Sequence, residues 1–561
     1  MLTAIKLKLA SSRGKAPLSF SLQPSVTIFV GPNNSEKSLL LREINALCKD
    51  GSNGPHTRIL DTLQFEGVDE QTAQIDLKKI QRAISPGEAL QPGQSSIWLN
   101  GGHSVVDNQT YLIGRKQPNQ HLSLYAYYYL SGLTLWLDGA TRIGLLNQVP
   151  PGDLKAPVAP LAKIFMNDPM RTKWRTEVHN AFELYPAIDA TVGNILSVRF
   201  GSTPPSKERS FEEENIDWMK AARPLEEVSD GVKAFSGILL QVFAGDPKVI
   251  LIDEPEAFLH PSLARTLGKS LATAAHSEDK FVFVSTHSSE FVMGAIQSGA
   301  VVNIVRLTHD AGVGTARLLP NDDLVQMMND PMLRSVGVLS GLFFNNVVVT
   351  EGDTDRAFYQ EVNERLLAAG DPRAIPHALF LNADNKDTIP AIVGPLRKLG
   401  IPAVGVFDLD VVREGKTKWT RLLEGSGLPS GQHEASHKLR QNVLENLVKA
   451  APKEAAKPEI YFKRNGGIEL LKGDQREAAN NFCDDLEKYG SFIVRKGEVE
   501  SWLKHLSLPS KDGGWRAAIF GAMGSDPKKE PYVYPAKGDV WDFVGSIKKW
   551  LTDPTRKGIP Q

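Results

Sequence analysis

The chain has 561 residues, 41% of them hydrophobic and 23% charged, with a formal net charge of −1. That length and composition predict two or three ordinary globular domains. A near-zero balance excludes nucleic-acid binding driven by bulk charge, so any DNA contact must come from a local basic surface aided by metal ions. The two cysteines, Cys48 and Cys483, lie far apart without metal-ligand spacing. This argues against a disulfide framework or zinc site and fits a reducing cytoplasm. No apolar run reaches the length of a membrane span and the N-terminus lacks a signal-peptide pattern, so no membrane partner is expected.

In chain order, strands are predicted over Thr3–Leu9, Ser19–Leu22 and Val26–Val30. The last runs into Gly31-Pro-Asn-Asn-Ser-Glu-Lys-Ser38, followed by a helical pattern from Leu39 to Cys48. Strand, loop, Lys-Ser and helix form the context of a phosphate-binding P-loop. Loop amides (Gly31 and Asn34 among them) and the helix N-terminus would cradle the phosphates of ATP. Lys37 would reach the terminal phosphates and Ser38 would hold Mg2+. Glu36 stands where the pattern asks for glycine. It adds bulk and like charge beside the phosphates, so nucleotide binding is expected and hydrolysis is left open.

From about 50 to 223 the chain is rich in Gly, Pro, Gln and Asn and loses this regularity. Tyr125, Tyr127, Tyr128 and Tyr129 are read as strand core and sheet surface, and Trp174–Tyr185 as helix. Regularity returns at Glu227-Val-Ser-Asp-Gly-Val-Lys233, before a helix predicted over Ala234–Val242. An apolar strand then ends in Asp253-Glu254, and another, Phe281-Val-Phe-Val-Ser-Thr, leads to His287. Asp253 would support magnesium, Glu254 would polarise an attacking water, and His287 would sense a γ-phosphate.

This ordered set resembles the ATPase head of the ABC type, as in SMC and RecF proteins. The resemblance implies that Ser229 and Gly231 cap the γ-phosphate held by a second copy, and hence a homodimer or higher homo-oligomer. The signature is shorter than the transporter form, lacking its leading Leu and second Gly.

A β-branched run, Val347–Thr350, next delivers Glu351, and Gly352 permits a sharp turn into a helix predicted from Asp355 to Leu367. A second apolar run, Pro402–Phe407, delivers Asp408 and Asp410. Ligands of open parallel sheets bind beyond the carboxyl ends of strands, and carboxylates at spacing two can face one ion. Hard oxygen donors of this kind suit Mg2+ or Mn2+.

The order strand-Glu-Gly, helix, strand-Asp-x-Asp, with Asp355 just after Glu351, resembles the Toprim fold of topoisomerases, primases and certain nucleases. An ABC-type head followed by a Toprim domain resembles the overcoming-lysogenization-defect (OLD) family of bacterial and phage nucleases. That resemblance implies a two-metal site. Glu351, Asp408 and Asp410 would hold one ion, and Asp355 would share the second with an acidic residue after the strand Ser491-Phe-Ile-Val. Glu500 is the first choice for that residue and Glu498 the alternative. It also implies a late lysine that stabilises the transition-state phosphate, best matched in position by Lys537.

Arg413, Lys416, Lys418 and Arg421 make a locally basic stretch, read as a solvated loop with DNA-phosphate contact as the alternative, and 449–472 reads as helix and linker. The predicted architecture is α/β. An ABC/SMC-like P-loop ATPase domain spans 1–340, with about 50–223 partly an inserted dimerisation-type region. A Toprim nuclease domain spans 341–505 and a C-terminal extension 506–561.

The expected activity is an ATP-regulated, divalent-metal-dependent endonuclease acting on double-stranded DNA, and the resemblance implies a role in bacterial anti-phage defence or DNA processing, with room for a co-encoded partner. The first alternative is a nucleotide-dependent switch that binds a partner protein without cutting DNA. Strand passage or primer synthesis is a further alternative, but no nucleophilic tyrosine domain or DNA gate is evident.

Overall fold

The computed structural model describes all residues except 13, 53, 55, 56, 85–88, 100, 101, 311, 336, 507, 509–513, 560 and 561. It divides into two compact units, Met1–Met328 and Asn329–Gln561.

The first unit is built on a six-stranded sheet in the order Val313–Leu319, Val302–Asp310, Ser25–Val30, Phe281–Ser285, Val249–Asp253, Thr134–Leu137. All neighbours are parallel apart from the antiparallel edge pair of Val302–Asp310 with Val313–Leu319. Strands of a parallel sheet are covered on both faces, which accounts for the apolar runs legible in the sequence. Register sets the chemistry: Asp253 lies opposite Ser285, and Ser285 opposite Phe29. The segments that follow these three strands therefore leave the sheet at one edge.

Residues 50–223 are woven into this unit rather than set apart from it. Leu60–Phe65 pairs antiparallel with Leu2–Ala10, and Thr134–Leu137 closes the main sheet beside Val249–Asp253. The strand reading of the tyrosines is corrected here. They lie in helical turns, Leu122–Tyr125 continuing into a π-helical Ala126–Leu130. The reason is packing at helical spacing: Tyr125 and Tyr129 fall on one face, their rings 5.3 Å apart. Tyr125 also meets Phe65 at 5.1 Å, and the Arg115 guanidinium lies 3.8 Å from the Tyr129 ring centre. Tertiary contacts thus override the β preference of tyrosine. The helix expected near Trp174 runs Asp168–Phe182, and Tyr185 opens a strand, Tyr185–Asp189.

The second unit holds a four-stranded, all-parallel sheet ordered Ala378–Asn382, Asn346–Thr350, Ala403–Asp408, Ser491–Val494. Gly341 lies inside this unit, where a Cβ would meet the Leu396 side chain at 2.8 Å. The C-terminal helices Trp515–Met523 and Asp539–Thr552 belong to the same core. Trp515, Ile519, Trp541 and Val544 are buried with Val348, Val404 and Phe492 of the sheet. Arg365 helps to fix this segment by donating to the carbonyls of Met523 and Val533 at 3.0 and 2.9 Å.

Candidate nucleotide and metal sites

At the edge of the first sheet, Gly31 has φ +147°, and a Cβ there would lie 2.0 Å from the Leu307 carbonyl, so glycine alone fits. The helix Lys37–Asp50 follows the loop. The Lys37 ammonium is buried and donates to Gly31 O (2.9 Å), Pro32 O (3.0 Å) and Ser35 Oγ (3.2 Å). Burial brings its pKa down to about 8 despite the opposing pull of Glu254, Asp253 and Glu256. Ser38 Oγ donates to Asp253 Oδ1 at 2.8 Å, and Ser285 Oγ donates to the same oxygen. Asp253 therefore joins the P-loop helix to two strand ends, the position from which it and Ser38 would share a magnesium ion. Asn34 and Glu36 both take left-handed backbone, φ +60° and +66°. At Glu36 this is the conformation that the missing glycine would adopt freely.

Glu254 leaves the sheet with φ +54° and an exposed side chain. Its carboxylate lies 3.9 Å from His287 Nε2. Burial, then the nearby Lys37 charge, lowers the His287 pKa, so the ring is neutral near pH 7. The His287 amide donates to Glu256 Oε1 at 2.8 Å.

Arg142, 1% exposed, donates to the Glu254 carbonyl and to Asp138 O at 2.9 Å. Sequence reading missed it because it lies in the irregular middle region, outside any motif. Ser229 caps the helix Asp230–Ala244, and Gly231 packs where a Cβ would meet Phe258 O at 2.7 Å. Neither hydrogen-bonds to P-loop residues among the described residues.

In the second unit, Glu351 follows the strand Asn346–Thr350, and Asp408 ends its parallel neighbour Ala403–Asp408. Glu351 Oε1 accepts from the Asp408 amide at 2.9 Å. One carboxylate oxygen each from Glu351, Asp408 and Asp410 falls within 4.8 Å of the others. Burial, reinforced by Asp408, pushes the Glu351 carboxyl up to about 8. Burial also pushes Asp410 up, but Lys463 and Lys386 beside it hold its carboxyl below the ordinary value. Asp410 Oδ1 is buried and accepts no hydrogen bond. Three converging hard oxygen donors, with a buried Asp410 oxygen left unpartnered beside them, fit a hard divalent cation.

Two lysines enter this cluster. Lys463 Nζ lies 2.9 Å from Asp408 Oδ2, 3.1 Å from Asp410 Oδ2 and 3.9 Å from Glu498 Oε2. Lys386 Nζ lies 3.2 Å from Asp410 Oδ2 and 3.0 Å from Glu414 Oε1. Burial lowers both lysine pKa values, and the carboxylates more than offset it, Asp408 first for Lys463 and Asp410 first for Lys386. Lys463 was invisible in the sequence because its short helix, Pro458–Arg464, carries no motif and its partners are distant in the chain.

The other expected site residues are placed differently. Asp355 Oδ2 accepts from the Gly352 amide at 3.0 Å and so caps the helix Asp353–Ala368. Glu498 is 3% exposed and shares Lys463 with the two aspartates. Glu500 lies in the following 3-10 turn, Val499–Ser501. Lys537 is exposed ahead of the helix Asp539–Thr552. Among the described residues, the carboxylates close enough to share an ion are Glu351, Asp408 and Asp410. In the basic stretch, Lys416 pairs with Glu434 at 2.8 Å and Lys418 with Asp387 at 2.5 Å. Both pairs lie in solvent, where water and salt screen them.

Comparison with known proteins agrees with this division. Residues 163–293 match an AAA domain model whose description names the AbiEii toxin and type IV TA systems. Residues 342–410 match the TOPRIM domain of overcoming lysogenization defect protein-like sequences. A stretch of 125 residues is 30% identical to the Old nuclease of Escherichia phage P2, covering 20% of this chain and 20% of that protein. The chain thus matches about a fifth of the length of that curated relative.

Similar solved structures include an SMC head bound to the C-winged helix domain of ScpA, at 13% identity and TM-score 0.35. The match covers 58% of this chain and 99% of that one. Another is the SMC head domain from Thermotoga maritima, at 14% identity and TM-score 0.28, covering 57% and 99%. The chain thus carries a segment similar to an AAA domain followed by a segment similar to the TOPRIM domain of overcoming lysogenization defect protein-like sequences.

Proposed function

We propose that the chain is a divalent-metal-dependent DNA endonuclease controlled by ATP at its P-loop head. The observation that carries this reading is the convergence of Glu351, Asp408 and Asp410 oxygens within 4.8 Å at neighbouring parallel strand ends. Glu351, Asp408 and Asp410 would hold magnesium or manganese, with Asp355 and either Glu498 or Glu500 serving a second ion. Ions bound there would supply Lewis acidity for activating water and for neutralising the leaving oxygen. The chain's own residues orient the site. The Asp408 amide fixes the Glu351 carboxylate, Lys386 pairs with Asp410, and Lys463 balances the charge of Asp408 and Asp410 in the metal-free chain.

In the head, Lys37 and Ser38 would bind the terminal phosphates and magnesium of ATP, with Asp253 supporting Ser38. Glu254 would polarise water and the neutral His287 would face the γ-phosphate. Ser229 and Gly231 would complete the nucleotide site of a second copy, making the active form at least a dimer. Lys537 would approach the scissile phosphate. We assign the activity to bacterial anti-phage defence, with double-stranded DNA as substrate and a co-encoded partner.

The direct test is nicking of supercoiled plasmid with manganese or magnesium, with and without ATP, beside Asp408→Ala. Metal-dependent nicking lost in the variant is expected, and equal nicking by both proteins would overturn the reading. Glu36, in left-handed backbone beside the phosphate track, favours a second reading in which the head binds nucleotide and switches a partner without turnover. Bound nucleotide that is never hydrolysed, together with no nicking under any metal, would select it.

A further inference from the structure

We propose that Lys463 is a resident counter-ion of the acidic site, seated where it competes with a divalent cation, so that it sets the metal concentration at which the site fills. The inference rests on the metal-site reading above and concerns a residue that no motif marks. Its ammonium bridges Asp408 and Asp410 at 2.9 and 3.1 Å and reaches Glu498 at 3.9 Å. An ammonium bridging the two aspartates sits where a metal shared by them would bind, and two cations do not share such a seat without strong repulsion. The lysine stem is flexible, with three rotatable donors, so the charge can leave while the backbone stays in place.

The backbone under Lys463 is built to hold it there. Gly497, at φ +121°, packs so closely that a Cβ would lie 2.0 Å from the Lys463 carbonyl. The Gly497 carbonyl accepts from the Leu409 amide at 2.7 Å, between the two aspartates in sequence. Gly467, at φ +60°, packs against Arg495 O in the same way, and the Ile468 amide donates to that oxygen at 2.8 Å. The helix Pro458–Arg464 is thus docked on the loop that is itself tied to the metal-ligand segment. An exposed lysine that met the acids by chance would need no such seat. Lys386, shared between Asp410 and Glu414, supplies a second charge that stays when Lys463 leaves.

The test is manganese binding to the full-length protein, measured by calorimetry and by the loss of the free-ion electron paramagnetic resonance signal. Wild type is compared with Lys463→Met, Lys463→Arg and Asp408→Asn. Removing the competing charge is expected to tighten manganese binding at least tenfold in Lys463→Met and to leave Lys463→Arg near wild type. Without metal, Lys463→Met should also melt at a lower temperature than wild type, and manganese should restore more of its melting temperature.

Unchanged or weaker manganese binding by a folded Lys463→Met protein would overturn the proposal. If Lys463→Met fails to fold, a Lys463→Arg variant that binds manganese tenfold more tightly than wild type overturns it, and one that binds like wild type supports it. Manganese binding in wild type that Asp408→Asn does not weaken would instead refute the metal-site reading itself, so the two failures are distinguishable.

Discussion

Proton release on metal binding probes the acidic site most closely, and Glu351 determines it. Burial and the neighbouring Asp408 push its carboxyl up to about 8, so at pH 7 about nine-tenths of the molecules carry the proton. A divalent ion binds the carboxylate form, so about 0.9 proton should be released per ion at pH 7 and about 0.1 at pH 9. Apparent affinity should rise about tenfold per pH unit up to pH 8 and then level off.

The sign for stability runs the other way. Because the folded pKa lies above the ordinary 4.5, the metal-free fold holds this proton more tightly than the unfolded chain. The contribution is full below about 4.5 and is lost as pH rises through 8. The assay is manganese calorimetry in two buffers of different ionisation enthalpy, whose difference counts protons. Glu351→Gln should abolish the release and weaken binding. Release below about 0.2 proton at pH 7 in wild type, or unchanged release in Glu351→Gln, would refute the assignment.

Three further outcomes follow from the geometry. Glu36→Gly should bind a fluorescent ATP analogue about tenfold more tightly, since it removes a carboxylate and a left-handed Cβ beside the phosphates. Glu36→Ala, which keeps the Cβ, should recover only part of the gain. Gly31→Ala should abolish nucleotide binding and lower stability by about 2 kcal/mol or more, read by denaturant unfolding, because its Cβ would fall 2.0 Å from Leu307 O. Trp541→Ala should cost the second unit about 3–5 kcal/mol by opening a cavity in its core, read as an earlier thermal transition and as faster proteolysis of that unit.

The legible parts of this chain were those in which local pattern and tertiary role coincide. A buried parallel strand must be apolar, and a polar residue stands out where it ends, so the places of Asp253, His287, Glu351 and Asp408 at or just beyond strand ends could be read directly. Gly31 was legible as the opening residue of the P-loop pattern, and its close approach to Leu307 O is the physical reason for it. The tyrosines were misread because β-forming aromatics in an irregular region give no period of their own, and only Arg115 and Phe65 reveal their helical face. Lys463, Lys386 and Arg142 were missed for a related reason. Lys463 and Lys386 act through carboxylates far away in sequence and Arg142 reaches the distant Glu254 carbonyl, and a lone basic residue on a short helix or turn looks like any solvated charge. Asp355, also a motif position, accepts from the Gly352 amide and caps the helix that follows Glu351.

In the proposed function, Glu351, Asp408 and Asp410 form a metal site that cuts DNA under the control of the nucleotide head. Plasmid nicking by the purified chain, with manganese or magnesium, with and without ATP, and beside Asp408→Ala, tests it most directly. Metal-dependent nicks that vanish in the variant and diminish as ATP is titrated in are expected. Nicking that survives Asp408→Ala would contradict the site, and nicking indifferent to ATP across a full titration would contradict the control.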